Sequence, residues 1–138
     1  MVRNDISKRN KYYLNKHRSL ELRHFCLQYP GWVRAVRSLD GYRTHSGFIF
    51  PGESVQADPT GNTAVSRDKL LRFIAMVDRA ATEADVSLQS YILKAVTEGT
   101  AYEWLTDVPC SRGTFYETYR RFFWILSRIR ENYMLYYE

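Results

Sequence analysis

The sequence has little cysteine and no long apolar run, and both absences exclude classes of protein. Its two cysteines, Cys26 and Cys110, lie far apart in the chain and fit neither a disulfide framework nor a zinc-ligand pattern. His17 and His24 lie near Cys26, but their spacing matches no metal-ligand set, so we expect no metal and no cofactor. Because no stretch approaches about 18 apolar residues and no signal peptide is recognisable, we expect a cytoplasmic protein without a membrane segment.

Patterns typical of enzymes are also missing. The chain shows no paired carboxylates in a plausible cleft, no nucleophile beside a base and no metal-binding pattern, so we do not expect an enzyme. Gly47 and Gly52 flank an apolar cluster, but no GxxxxGKS or GxxxxGKT pattern follows them, which argues against nucleotide binding. No segment carries a strong strand pattern. These absences point to a binding function carried by helices.

The net charge of +5 is unevenly distributed along the chain. Residues 1–43 hold ten lysines and arginines against three acidic residues, residues 44–107 hold five against nine, and residues 108–138 hold five against three. Basic terminal segments joined by an acidic middle are typical of a nucleic-acid binder that has a separate scaffold. Charge that is merely solvated is the alternative interpretation.

The spacing of apolar residues predicts one all-α domain over residues 1–138. Its parts are a mobile basic arm (1–11), an N-terminal helical hairpin (12–40), a long loop (41–61), a central helix (62–84) and a C-terminal helix-turn-helix region (85–138). In the hairpin, the first helix starts at Tyr12, Pro30 lies in the first turn of the second, and Asp40 and Gly41 end it. The arm could follow a phosphate backbone, and a frayed terminus is the alternative.

The predicted helix-turn-helix begins with a supporting helix. Asp85 is expected to cap this helix, and Gly99 is expected to end it in the left-handed conformation. The stretch Thr100–Glu103 has the form of a capping box, which would open a short second helix that ends near Asp107. Pro109 then imposes a turn before the last helix.

The last helix is the predicted recognition helix, long and basic, with Ser111 as its N-cap and Arg112 to about Met134 as its span. Its apolar stripe consists of Phe115, Tyr119, Phe122, Leu126, Ile129 and Tyr133. Its other faces supply the candidate DNA-binding residues: Arg112, Gly113, Thr114, Tyr116, Glu117, Arg120, Arg121 and Arg128. The amino end of such a helix favours phosphate, and its first turns can reach base edges in the major groove. A surface helix with a solvated charged face is the alternative.

Three stretches carry a resemblance to a known family. They are residues 25–32 (Phe-Cys-Leu-Gln-Tyr-Pro-Gly-Trp), residues 63–65 (Thr-Ala-Val) before the long central helix, and residues 111–116 (Ser-Arg-Gly-Thr-Phe-Tyr). In this order they resemble the ArpU/RinA-like phage transcriptional regulators, whose carboxy-terminal part is similar to sigma factor region four. The resemblance covers nearly the whole chain. It implies a helix-turn-helix regulator of phage late genes, or a relative adapted to another mobile-element task.

The first candidate function is sequence-specific binding of double-stranded DNA by a transcriptional regulator. The residues that would read bases are Arg112, Tyr116, Glu117 and Arg120. The residues that would hold phosphates are Arg121 and Arg128, with Lys8 and Arg9 from the arm.

The second candidate function is that of a protein-binding module, such as a phage inhibitor of host RNA polymerase or, like an anti-CRISPR protein, of a host defence nuclease. Its anchors would be exposed aromatic side chains of the last helix, namely Phe123, Trp124, Tyr133, Tyr136 and Tyr137. The same aromatic residues could instead form the seam of a homodimer, which would suit a palindromic operator.

Overall fold

A computed structural model describes residues 8–44 and 61–137 of the chain. The regular elements in these ranges are α1 (Lys16–Leu27), α2 (Tyr29–Thr44), α3 (Gly61–Ala84), α4 (Gln89–Glu98), a 3-10 turn (Tyr102–Trp104) and α5 (Arg112–Tyr137). The predicted all-α class is therefore confirmed. Most of the predicted loop 41–61 lies outside the described residues. None of the described helices has both the length and the apolar character that crossing a membrane requires.

The junction between α1 and α2 is set by local capping. The helix begins after Asn15 and not at Tyr12, because the Asn15 side chain accepts a hydrogen bond from the Arg18 amide at 2.8 Å. Only Gln28 separates α1 from α2. Pro30 lies in the first turn of α2, as predicted, where its missing amide hydrogen costs nothing.

The end of α2 differs from the prediction. Asp40 and Gly41 do not stop the helix, which continues to Thr44. A glycine inside a helix costs only about 1 kcal/mol relative to alanine, and the packing of α2 along α3 offsets such a cost. Contacts of α1 are mainly with α4 and α5, so residues 12–40 form two helices that diverge from Gln28 and not a hairpin packed along its length.

The central helix α3 confirms the prediction for residues 62–84 almost to the residue. It packs against α2, α4 and α5, and its contact with α5 is the most extensive of the fold. Small side chains on α3 let these neighbours approach closely. Its buried residues are Met76, Val77, Ala80, Ala81 and Ala84.

An aromatic cluster joins four of the helices. The ring of Phe25 from α1 lies 4.7 Å from that of Trp32 in α2, which in turn lies 5.3 Å from Phe73 in α3. Phe73 lies 5.6 Å from Tyr133 in α5. The guanidinium group of Arg130 stacks 4.1 Å from the centre of the Phe25 ring. Tilted and edge-on contacts of this kind add to the free energy of burial.

The connection between α4 and α5 corrects the helix-turn-helix prediction in two respects. Gly99 does end α4 in the left-handed conformation, with φ of 70°. However, Thr100–Glu103 is not a capping box: the predicted short helix is a single 3-10 turn without a side-chain cap, and Glu103 binds Arg112 instead. Residues 99–111 separate the two helices, whereas a helix-turn-helix uses a turn of about three or four residues. The main support of α5 is α3 and not α4.

Asp85 caps a turn that precedes α4. Its carboxylate accepts hydrogen bonds from the amides of Ser87 at 2.9 Å and Leu88 at 3.2 Å. The helix itself begins at Gln89, three residues later than a cap at Asp85 would place it. Asp85 thus accepts hydrogen bonds from backbone amides before α4, as expected of a cap. These amides belong to the turn that precedes the helix and not to its first turn.

The start of α5 follows the prediction. The Ser111 hydroxyl oxygen accepts a hydrogen bond from the Thr114 amide at 3.3 Å, and the Ser111 carbonyl accepts one from the Phe115 amide at 2.9 Å. The preceding residues 107–110 are not helical, and Asp107 has a φ of 59°. The predicted apolar stripe faces the core: Phe115, Tyr119, Phe122, Leu126 and Tyr133 are buried, and Ile129 is partly buried.

Two tryptophans test the assignment of the core. Trp32 is 7% exposed, whereas Trp104 is 80% exposed. Trp32→Ala should lower the free energy of unfolding by about 3 kcal/mol or more, because it removes a ring from the aromatic cluster. The matched substitution Trp104→Ala should change it by less than about 0.5 kcal/mol. Urea denaturation of both variants checks this, and equal losses would contradict the described packing.

Ser111 tests the N-cap of α5. Ser111→Ala removes the acceptor for the Thr114 amide and should cost about 1 kcal/mol of stability, whereas Ser111→Asn keeps an acceptor there and should cost little. Thermal unfolding followed by circular dichroism distinguishes the two variants. Identical melting temperatures for wild type and Ser111→Ala would show that the hydroxyl does not cap the helix.

Candidate nucleic-acid interface

Five of the eight predicted DNA-binding residues lie together on the solvent side of α5. With about 100° of rotation per residue, they fall within an arc of roughly 100°. All five are exposed, and we call this surface the outer face: Gly113, Thr114, Glu117, Arg121 and Arg128. A Cβ atom at Gly113 would meet nothing within 4 Å, so the first turn of α5 is open to a close approach.

Tyr116 is not available to read bases, and this prediction was wrong. The side chain is 7% exposed, and its hydroxyl accepts a hydrogen bond from the Tyr102 amide at 3.0 Å. The Tyr102 hydroxyl donates in turn to the carbonyl of Cys110 at 2.7 Å. The connection between α4 and α5 therefore covers this side of α5. The charged residues in the first turn of α5 gave no indication of this contact.

Arg112 and Arg120 are exposed less freely than predicted. The Nε–H of Arg112 donates to Glu103 at 2.6 Å, and its guanidinium group lies 4.9 Å from the centre of the Tyr116 ring. The hydrogen bond from Arg112 lowers the pKa of the Glu103 carboxyl. Arg120 is partly buried, and its Nε–H has no hydrogen-bond partner among the described residues. Neither side chain therefore belongs to the outer face in this structure.

The amino-terminal segment lies against the middle of α5. Tyr12 contacts Trp124 edge to face, with ring centres 5.8 Å apart. The guanidinium group of Arg128 stacks over Trp124 at 4.9 Å, and the ammonium group of Lys11 lies 5.0 Å from the centre of the Tyr12 ring. We call this alternation the cation–aromatic ladder. It extends the outer face to a second basic segment of the chain.

A local turn shapes the start of that segment. The Asn10 side chain accepts a hydrogen bond from the Tyr12 amide at 2.8 Å, and its carbonyl accepts one from the Tyr13 amide at 3.0 Å. Lys8 and Arg9 are exposed just before this turn. Residues 1–7 of the predicted basic arm lie outside the described residues. The ladder was missed at the sequence level because Tyr12 and Trp124 are more than 100 residues apart.

A second contact holds α1 on α5 further along the helix. Arg18 donates from Nε to the Ser127 hydroxyl at 3.0 Å and from Nη2 to the Ser127 carbonyl at 3.1 Å. Glu21 accepts from Arg18 at 3.0 Å and lies 3.7 Å from Arg130. These charges support the fold, so they add little to any surface that a ligand could touch.

The proposed protein-binding anchors differ in their exposure to solvent. Phe123 and Tyr133 are buried at 4% and 8% exposure, so the expectation that they are exposed was wrong. Both project from α5 toward the core that α3 helps to form. Trp124 is half-buried in the ladder. The side chains of Tyr136 and Tyr137 lie outside the described residues.

The cysteine and histidines lie in different environments. Cys26 is completely buried, and burial raises the pKa of its thiol. His17 and His24 are exposed. Within the part of the chain that the structure describes, no three His, Cys, Asp or Glu side chains come together in an arrangement that could hold a metal ion.

Two exposed arginines, Arg121 and Arg128, thus lie on the outer face of α5 together with the exposed carboxylate of Glu117, and the ladder adds Lys11 beside Tyr12. Comparison of the chain with protein families, with curated proteins and with solved structures gave no match.

Proposed function

We propose that this protein binds double-stranded DNA through the outer face of α5 and that it regulates transcription. The observation that supports DNA binding most strongly is the cation–aromatic ladder, because it brings the amino-terminal basic segment beside Arg128. These two parts of the chain carry its basic excess. A phosphate backbone is a polyanion that these basic side chains attract.

The dimensions of α5 suit the major groove. A helix with its side chains is about 10–12 Å wide and the groove is about 12 Å wide. Gly113 lets the backbone of the first turn come close to the bases, and the amino end of the helix carries a partial positive charge. In this docking, Thr114 and Glu117 face base edges, and a carboxylate can accept a hydrogen bond from the amino group of cytosine.

The phosphate contacts fall to the basic residues further along the surface. Arg121 and Arg128 follow Glu117 on the outer face, and the ladder links Lys11 to Arg128 through Tyr12 and Trp124. Arg112 would join the DNA only by leaving Glu103, which holds it at 2.6 Å. In this docking, the residues that read bases are therefore Thr114 and Glu117, in place of the predicted Arg112 and Tyr116.

The proposed role in transcription rests on the resemblance to ArpU/RinA-like phage regulators and not on the surface alone. The stretch that carries the resemblance at residues 111–116 forms the N-cap and first turns of α5. The competing module that inhibits a host protein is less favoured, since two of its aromatic anchors, Phe123 and Tyr133, are buried.

The phosphate-contacting role of two arginines can be tested by salt dependence. Arg121→Ala and Arg128→Ala should each weaken binding to specific and random duplexes alike, and each should reduce the slope of log K against log salt by about one unit. Arg37→Ala removes an exposed charge from α2 and serves as the control. Fluorescence anisotropy at several salt concentrations measures all three. An equal effect of Arg37→Ala would mean that only net charge matters and that α5 has no special part.

Glu117 tests base reading. Specific duplexes are first selected with the wild-type protein from a random library. Glu117→Ala should then lose about 1–3 kcal/mol of binding free energy on the selected duplex, because a contact to a cytosine is removed. On random duplexes it should bind at least as well as wild type, since a negative charge near phosphates disappears. Improved binding to both kinds of DNA would contradict the base contact.

A further inference from the structure

A cleft lies on the side of α5 turned away from the outer face. It encloses about 600 Å³ between α1, α4, the connection after Gly99 and α5. A volume of this size is in the range of small-molecule sites, which is about 300–1,000 Å³. Tyr119 and Phe123 form its wall on α5, and Trp104 lies at its edge.

Two large apolar side chains border this cleft and are exposed to solvent. Trp104 is 80% exposed and Leu27 is 48% exposed, and both line the same cavity. Single exposed apolar residues are common, but an exposed tryptophan and leucine at one concave surface offer a planar ligand two apolar contacts. Phe123 provides a further ring within the cleft.

The lining of the cleft carries a single positive charge and is otherwise neutral. Among the ten described residues that line it, Arg23 is the only charged one. Arg23 lies near Tyr119, and its positive charge opposes part of the effect of burial on the pKa of the phenol. A protonated phenol can donate a hydrogen bond to an acceptor. Burial raises the pKa of Tyr119 to about 12, so this proton is retained at neutral pH.

We propose that this cleft binds a small aromatic carboxylate. The aromatic ring packs against Trp104, Leu27 and Phe123. The carboxylate accepts hydrogen bonds from the guanidinium group of Arg23 and from the Tyr119 hydroxyl. A monoanion with an apolar body matches the single cation and the apolar walls, whereas a phosphate or a second carboxylate would find no further cation among the lining residues.

The site does not depend on DNA binding. Tyr119 and Phe123 project from α5 roughly opposite to the outer face, given the rotation of about 100° per residue. Ligand binding is therefore tested on the full chain in the absence of DNA, and its result is separate from that of the duplex titrations.

The test compares 2-naphthoate with its neutral counterpart 2-naphthamide by isothermal titration calorimetry. Wild type should bind 2-naphthoate more tightly than 2-naphthamide. Arg23→Gln should weaken 2-naphthoate about tenfold or more and leave 2-naphthamide unchanged, because only the charged hydrogen bond is lost. Arg37→Gln, which removes a cation from α2, should leave both affinities unchanged.

Because Arg23 also contacts Tyr119, its variant is first checked by circular dichroism. If Arg23→Gln does not fold, Trp104→Ala carries the test, as its side chain lies outside the core. Trp104→Ala should weaken binding of both probes in the same titrations, because both lose the apolar contact with the indole ring. The proposal is overturned by equal affinities for the two probes, by 2-naphthoate binding that neither variant changes, or by no binding at millimolar concentration.

Discussion

The packing of α5 against α3 determines which side chains of α5 meet solvent. Phe115, Phe122 and Leu126 are completely buried, and this stripe fixes the rotation of the helix about its axis. Tyr116 and Phe123 widen the buried stripe on one side. Because a helix turns by about 100° per residue, every residue on the opposite arc must face outward. The width of the core contact thus limits the exposed arc of α5, which also carries Glu131 and Asn132 beyond the five residues of the outer face.

The same packing explains why net charge is a poor guide to surface charge. Residues 108–138 contain five arginines, yet they have different environments. Arg130 is 12% exposed beside core rings, Arg120 is partly buried, and Arg112 is held by a carboxylate. Only Arg121 and Arg128 lie on the outer face. A basic sequence segment therefore yields a narrow basic surface, made broader by the amino-terminal segment that Tyr12 anchors.

Two predictions from local capping signals succeeded, whereas several that depended on distant partners failed. The Ser111 cap and the left-handed Gly99 were predictable because each depends on the backbone within a few residues. Gly41 was misread because packing against α3 carries the helix past it. At the candidate site, the burial of Tyr116 and the pairing of Glu103 with Arg112 depend on a connection that folds back over α5. Apolar periodicity carries no information about such a fold-back.

The 3-10 turn in that connection lies between the first turn of α5 and the cleft. Glu103 of this turn holds Arg112 in the first turn of α5, whereas the next residue, Trp104, borders the cleft. The Tyr116 hydroxyl accepts a hydrogen bond from the Tyr102 amide and so holds the start of the turn against α5. A ligand that displaces the backbone of Trp104 also displaces the adjacent Glu103, which pairs with Arg112. Linkage then requires any effect of the ligand on DNA affinity to be matched by an equal effect of DNA on ligand affinity.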